Sequence, residues 1–168
     1  MNEISETQEL GIICRVKSFL YGDKPNLDPK DILERLNKNE VIKKLENGEI
    51  VFLSKYKEGM SGKGADAFEI IQQGLIALEL IKIDKNKECW WTSFKFGVYG
   101  DKTIAAVKKF QEKAGIKYKR KVSGQGFEIA EKLESPDGHK IGQETIKVLK
   151  KALEAASKGK NWEVAFKK

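Results

Sequence analysis

The sequence predicts a mainly α-helical chain in which a three-helix unit follows a small N-terminal α+β extension. Apolar residues recur at three- and four-residue spacing in residues 101–115 and again in residues 143–157, as they do on one face of an amphipathic helix. Three glycines within residues 59–64 interrupt the pattern and are typical of a linker or an exposed turn. We therefore expect an extension over residues 1–58 and a helical domain over residues 59–168.

The extension is expected to place two short helices between two strands. Residues 10–20 are rich in β-branched and aromatic residues that alternate, which favours a strand, although a short helix also fits. Asp28-Pro29 is typical of a helix start, with an N-cap carboxylate followed by proline at the first helical position. A second short helix carries Val41, Ile42 and Leu45, and residues 49–56 then indicate a strand.

Three helices are expected after the boundary. They cover about residues 65–80, 101–115 and 143–157. The first and second are joined by an irregular connection over residues 81–95. The second and third are joined by a long basic connection over residues 117–136, which includes a short helix at residues 128–133.

A double-glycine turn leads directly into the second helix. Gly97 and Gly100 bracket an aromatic residue, a spacing that suits a tight turn in which one or both glycines take positive φ. Asp101 is predicted to cap the helix N-terminus. Gly115 is predicted to end the helix in a left-handed conformation, with Ile116 folding back as its hydrophobic contact.

The order of these motifs over residues 59–153 resembles the three-helix peptidoglycan-binding-like domain found at the ends of many bacterial and phage cell-wall hydrolases. The matching positions are Ile71-Gln72-x-x-Leu75, Gly97-x-Tyr99-Gly100-Asp101-x-Thr103, Ala106-Val107-x-x-Phe110-Gln111, Asp137-Gly138 and Gly142-x-x-Thr145. The chain departs from the family pattern by one extra residue between the last two glycines and by about a dozen extra residues in each long connection. The resemblance implies a three-helix scaffold with enlarged loops.

The motif residues predict structural roles. Gln72 and Gln111 are suited to capping or cross-linking loop backbone, Thr103 and Thr145 to beginning helices, and the glycines to making turns. The motif therefore identifies a fold and says little about a ligand.

Candidates for ligand binding are the aromatic and basic residues beside the central turn. They are Trp90, Trp91, Tyr99, Lys119 and Arg120. Flat rings stack on sugar faces and apolar peptide stems, although the same rings, with Phe94 and Phe96, are also suited to filling the core. The basic residues, which are Lys119 and Arg120 together with Lys117 and Lys121, are suited to pairing with stem carboxylates or anionic wall polymers, and solvated surface charge is the alternative.

Charge is distributed unevenly between the two halves of the chain. Residues 1–94 hold 14 Lys or Arg and 16 Asp or Glu, a net of −2, whereas residues 95–168 hold 18 and 9, a net of +9. The basic half is the expected face for an anionic partner, and charge alone leaves nucleic acid, anionic membrane, wall polymer and a plain solvated surface open. Nucleic acid is disfavoured because the helix lysines lack an Arg, Asn or Gln recognition set.

Redox, targeting and catalytic signals are weak in this sequence. Cys14 and Cys89 form no paired motif, so two reduced thiols are expected rather than a disulfide. No secretory signal and no membrane span is evident, which predicts synthesis in the cytoplasm and a site of action in the periplasm or cell envelope. His139 is the only histidine, and no cluster of Asp or Glu residues at metal-ligand spacing accompanies it. We therefore expect no metal, no cofactor and no enzyme activity.

The expected function is therefore a non-catalytic module that binds peptidoglycan or an associated anionic wall polymer, as part of a phage-tail-like, injection or lysis system. Three alternative functions stay open. The first is a protein–protein adaptor that uses the aromatic loop on a scaffold that has lost glycan binding. The second is a nucleic-acid-binding protein, and the third is a small hydrolase.

Overall fold

The structure is a computed structural model that describes residues 6–21, 23–50, 52–54, 63–94, 96–123 and 129–166. The described residues form six α-helices, four short strands and two 3-10 turns. The helices are α1 (Glu6–Tyr21), α2 (Pro29–Lys38), α3 (Glu40–Glu46), α4 (Lys63–Ala77), α5 (Asp101–Lys113) and α6 (Gln143–Ser157). The strands are β1 (Phe52–Ser54), β2 (Tyr118–Ser123), β3 (Ile129–Glu134) and β4 (Lys140–Gly142), and the 3-10 turns are Trp90–Thr92 and Trp162–Phe166. The mainly helical class is confirmed.

The hydrophobic core lies between α2, α4 and α6, with α3 and α5 packed against its sides. Leu36, Leu75 and Leu149 are almost completely buried there. Gly74 in α4 faces this core, since a Cβ at this position would be in ordinary van der Waals contact with the side chain of Leu153, 3.5 Å away. Helices before residue 59 thus share a core with helices after it, and the division into two domains stays a prediction.

Residues 10–20 lie in α1, so the strand predicted for them is wrong. Their apolar residues also recur at helical spacing, as at Ile12, Val16 and Phe19. A helix satisfies its backbone hydrogen bonds internally, whereas a strand needs a partner strand. The helix was the alternative reading of the same pattern.

The strands form two separate antiparallel pairs. β1 pairs with β4, so that Phe52 is opposite Gly142, and β2 pairs with β3, so that Tyr118 is opposite Glu134. The second pair replaces the short helix predicted at residues 128–133, which is wrong. A six-residue segment is too short for a stable isolated helix, and pairing two such segments satisfies their backbone groups.

The C-terminal end of α5 is as predicted, whereas the N-terminal end is not. Gly100 is the N-cap, with no side-chain cap bond, and Asp101 is the first helical residue, so the predicted Asp101 cap is wrong. A carboxylate in the first turn still interacts favourably with the helix dipole. Gly115 has φ of 69°, and the Ile116 amide donates to the Gln111 carbonyl over 2.9 Å, which is the predicted left-handed end.

Cys14 and Cys89 form a disulfide, so the prediction of two reduced thiols is wrong. Their Cα atoms lie 5.5 Å apart because α1 packs beside the 3-10 turn Trp90–Thr92. The sequence spacing of the two cysteines did not indicate this pair, because the pairing depends on the position of α1 beside the 3-10 turn.

Candidate functional site

Gln72 joins α4 to the turn that precedes α5. Its buried amide nitrogen donates to the Val98 carbonyl over 2.7 Å and lies 2.9 Å from the Thr103 hydroxyl. Its amide oxygen accepts a hydrogen bond of 2.8 Å from the Gly97 N–H. One side chain therefore satisfies three groups of the turn and the first turn of α5.

Gln111 makes a related set of contacts between α5 and α6. Its amide nitrogen lies 2.7 Å from the Lys140 carbonyl, 3.1 Å from the Thr145 hydroxyl and 2.7 Å from the Tyr118 hydroxyl. Gly142 is the N-cap of α6 and has nearly the same dihedral angles as Gly100 at the start of α5. Helix, turn and following helix thus occur twice, each time with a glutamine whose amide nitrogen contacts a turn carbonyl and the threonine of the next helix.

The second turn differs from the first by its extra residue. In the first turn a glycine N–H reaches the glutamine oxygen, whereas the buried Gln111 Oε1 has no hydrogen-bond donor among the described residues. Gly138 is the first glycine of the second turn, has φ of 81° and packs closely against α5. A Cβ at this glycine would lie 2.1 Å from the Ile104 carbonyl oxygen. The added residue changes how the turn is anchored without removing the link to α6.

Tyr99 connects the two turns from inside the protein. Its hydroxyl donates to the Gly138 carbonyl over 2.5 Å, and its ring lies 5.1 Å from that of Phe68. Burial raises the pKa of Tyr99, which keeps the hydroxyl protonated for this bond.

The aromatic group predicted to bind ligand is largely internal. Trp90 is 4% exposed and Tyr99 is 6% exposed, so the rings of these two candidate ligand-binding residues lie inside the protein. Phe94 and Phe96 pack against the core, and Trp91 is partly exposed with its ring edge-on to Trp90. The core-filling alternative therefore accounts for most of the group.

Lys119 and Arg120 lie in β2, opposite Leu133 and Lys132 of β3. The side chains of these two predicted ligand-binding residues lie outside the described part of the structure, and their role stays a prediction.

Two adjoining cavities of about 540 and 440 Å³ form a groove along the start of α6. Ile116, Lys117 and Glu144 line both cavities, and we call the combined depression the α6 groove. Val148 and Phe166 contribute apolar side chains to its far end, beside Lys151. The near end includes Tyr118, Asp137, Lys140 and Thr145.

The near end of the groove carries charges of both signs and a protonated phenol. Lys117 and Lys140 share the lining with Asp137 and Glu144. Burial raises the pKa of Tyr118, opposed by its hydrogen bond with Thr145. A ligand that bears both amino and carboxylate groups, with an apolar portion toward Phe166, would complement this surface.

Sequence reasoning singled out Lys117 but missed Tyr118, Glu144 and Phe166. One signal that pointed to this region was the enlarged connection that starts at residue 117, since it must pass close to the Gly142 turn to return to the third helix. Phe166 carried no such signal, because it lies beyond the motif and reaches the groove through the closing 3-10 turn.

Within the described residues, no group of three or more His, Cys, Asp or Glu side chains is placed to hold a metal ion. The backbone N–H of His139 donates to the Asp137 carboxylate over 2.8 Å, which forms a tight turn at the groove's edge. The described helices include none that is long and apolar enough to cross a membrane.

Comparisons of this chain with protein-family models, with curated proteins and with solved structures found no match.

Proposed function

We propose that this chain is a non-catalytic module that binds the bacterial cell wall through the α6 groove, on a scaffold of the peptidoglycan-binding-like type. The observation that carries the proposal is the groove's lining, in which lysines and carboxylates lie beside a phenol and the apolar side chains of Val148 and Phe166. The order of motifs over residues 59–153 supports the scaffold.

Peptidoglycan supplies a ligand of matching chemistry. Its peptide stems carry free carboxylates and amino groups next to small apolar side chains, and its sugars offer hydroxyls. Lys117 and Lys151 are placed to pair with carboxylates, whereas Asp137 and Glu144 are placed to pair with an amino group. Exposed ion pairs are each worth up to about 1 kcal/mol, so binding is expected to be moderate and to weaken as salt is added.

The test is co-sedimentation with purified insoluble peptidoglycan at low and high ionic strength. The unmodified chain is expected in the pellet at low salt. The double variant Lys117→Glu/Lys151→Glu is expected to raise the apparent dissociation constant about tenfold, as the loss of two ion pairs would. The matched control is Lys85→Glu/Lys87→Glu, which makes the same change in net charge at two exposed lysines outside the groove.

Two results would count against the proposal. If the unmodified chain stays in the supernatant at low salt, it does not bind peptidoglycan. If both double variants lose binding equally, attraction depends on net charge and the α6 groove is not the site.

A further inference from the structure

Helix α1 presents a row of large apolar side chains to solvent. Their exposure ranges from 46% for Ile13 to 91% for Phe19, and the row consists of Ile12, Ile13, Val16, Phe19 and Leu20. The opposite side of the helix rests on the body, where Cys14 is bonded to Cys89 and Ser18 is partly buried. The disulfide therefore holds α1 with its apolar side facing outward.

The row is symmetric about Val16. Ile13 and Phe19 lie three residues before and after it, and Ile12 and Leu20 lie four residues before and after it. Residues three and four apart share one face of a helix. A rotation of 180° about an axis through Val16, perpendicular to the helix, places each apolar residue of the row at the position of another. An antiparallel second copy would therefore meet apolar side chains along the whole row, as a two-fold interface between identical chains requires.

The exposed area of the row also fits a second copy of this chain as the partner. If a second copy covered these five side chains, the pair would bury on the order of 1,200 Å² in total, the lower end of stable protein interfaces. A membrane surface is the other candidate for covering this row, and vesicle binding by a monomer is one of the outcomes that would overturn the pairing.

We propose that the partner of α1 is a second copy of this chain, paired antiparallel with the Val16 residues meeting at the two-fold axis. Ile12 and Ile13 of each copy then pack against Phe19 and Leu20 of the other. Arg15 and Lys17 flank the row and are exposed, so like charges approach near the axis. Added salt is therefore expected to tighten the dimer.

Sedimentation velocity of the full chain without reductant, over about 1 to 200 µM, tests the pairing. A concentration-dependent dimer is expected for the unmodified chain. Val16→Asp is expected to raise the dissociation constant at least tenfold, because it places two carboxylates together at the axis. Val164→Asp is the matched control, since Val164 is also an exposed valine, 60% against 56%, and lies outside α1.

A mixture of two variants tests the register. Val16→Asp and Val16→Lys are each expected to be monomeric alone and to form a mixed dimer when combined, because opposite charges then meet at the axis. The proposal is overturned if the unmodified chain is monomeric throughout the range, including a monomer that binds anionic vesicles, or if Val16→Asp dimerises like Val164→Asp. Failure of the mixture to pair overturns the antiparallel register.

Discussion

The amide nitrogen of Gln72 lies 2.9 Å from the hydroxyl of Thr103, although 31 residues separate them in the chain. Gln111 and Thr145 repeat the contact at 3.1 Å across 34 residues. All four residues are buried. Each contact ties one helix to the first turn of the next, so the three helices after residue 62 are connected through polar links as well as apolar packing.

Replacing Gln72 by methionine is expected to lower the free energy of unfolding by about 2 to 4 kcal/mol. The change keeps the side chain's length but leaves the Gly97 N–H and the Val98 carbonyl without their partner in a part-buried turn. Urea unfolding measures the loss. Gln143→Met is the control, since that exposed side chain makes one bond, to the Glu46 carbonyl, and its loss should stay within about 1 kcal/mol. Equal losses in the two variants would contradict the structural role of Gln72.

Gly138→Ala is expected to be more damaging than Gly115→Ala. Both glycines have positive φ, 81° and 69°, so each alanine carries a backbone penalty of about 1 to 2 kcal/mol. Only at Gly138 does the new Cβ also collide with backbone, at 2.1 Å from the Ile104 carbonyl oxygen, whereas nothing lies within 4 Å at Gly115. Thermal and urea unfolding should show at least about 2 kcal/mol of additional loss for Gly138→Ala. Similar stabilities would mean that the second turn does not approach α5 this closely.

Loss of the Cys14–Cys89 disulfide is expected to destabilise the chain by about 2 to 4 kcal/mol, since it closes a loop between residues 75 apart. Urea unfolding with and without reductant measures this loss. The double variant Cys14→Ser/Cys89→Ser should match the reduced protein and should not respond to reductant. If reductant still lowers the stability of the double variant, the effect has a cause other than the loss of this disulfide.

Much of the helical framework could be predicted because its signals are local. Asp28 caps α2 through the Lys30 N–H, and Pro29 is the first helical residue. The last helix has the predicted bounds, and Gly115 ends α5 in the predicted conformation. In each case a few consecutive residues carry both the capping chemistry and the apolar spacing.

The errors arose where the outcome depends on distant contacts. The disulfide requires α1 to rest beside Cys89, and β2 requires β3 as its partner. Burial of Trp90 and Tyr99 likewise depends on what packs over them, since an aromatic residue in a loop suits a surface or a core equally well. The α6 groove combines separate residues that lie between positions 114 and 166 of the chain, and for that reason short motifs identified few of its members.

Stability is expected to fall as the pH rises above about 10, in part because of Tyr99. Burial raises the pKa of this tyrosine, so the folded state retains its proton where the unfolded chain would lose it. The stabilisation is fully present below the unfolded value and is lost progressively above it. Urea unfolding at pH 8 to about 11 measures the slope, which should be shallower for Tyr99→Phe, although that variant also loses its bond to the Gly138 carbonyl. An unchanged slope in Tyr99→Phe would contradict this assignment.

Tyr118→Phe and Tyr99→Phe form a matched pair that separates wall binding from stability. Each variant removes one hydroxyl, but only Tyr118 lines the α6 groove. Under the proposed function, Tyr118→Phe should weaken binding to purified peptidoglycan about threefold to tenfold, the range expected for one net hydrogen bond. Tyr99→Phe should bind like the unmodified chain at a temperature where all three proteins are folded, as circular dichroism would verify. If Tyr99→Phe weakens binding as much as Tyr118→Phe, the phenol in the groove makes no specific contact with the wall, and the effect reflects the shared loss of stability.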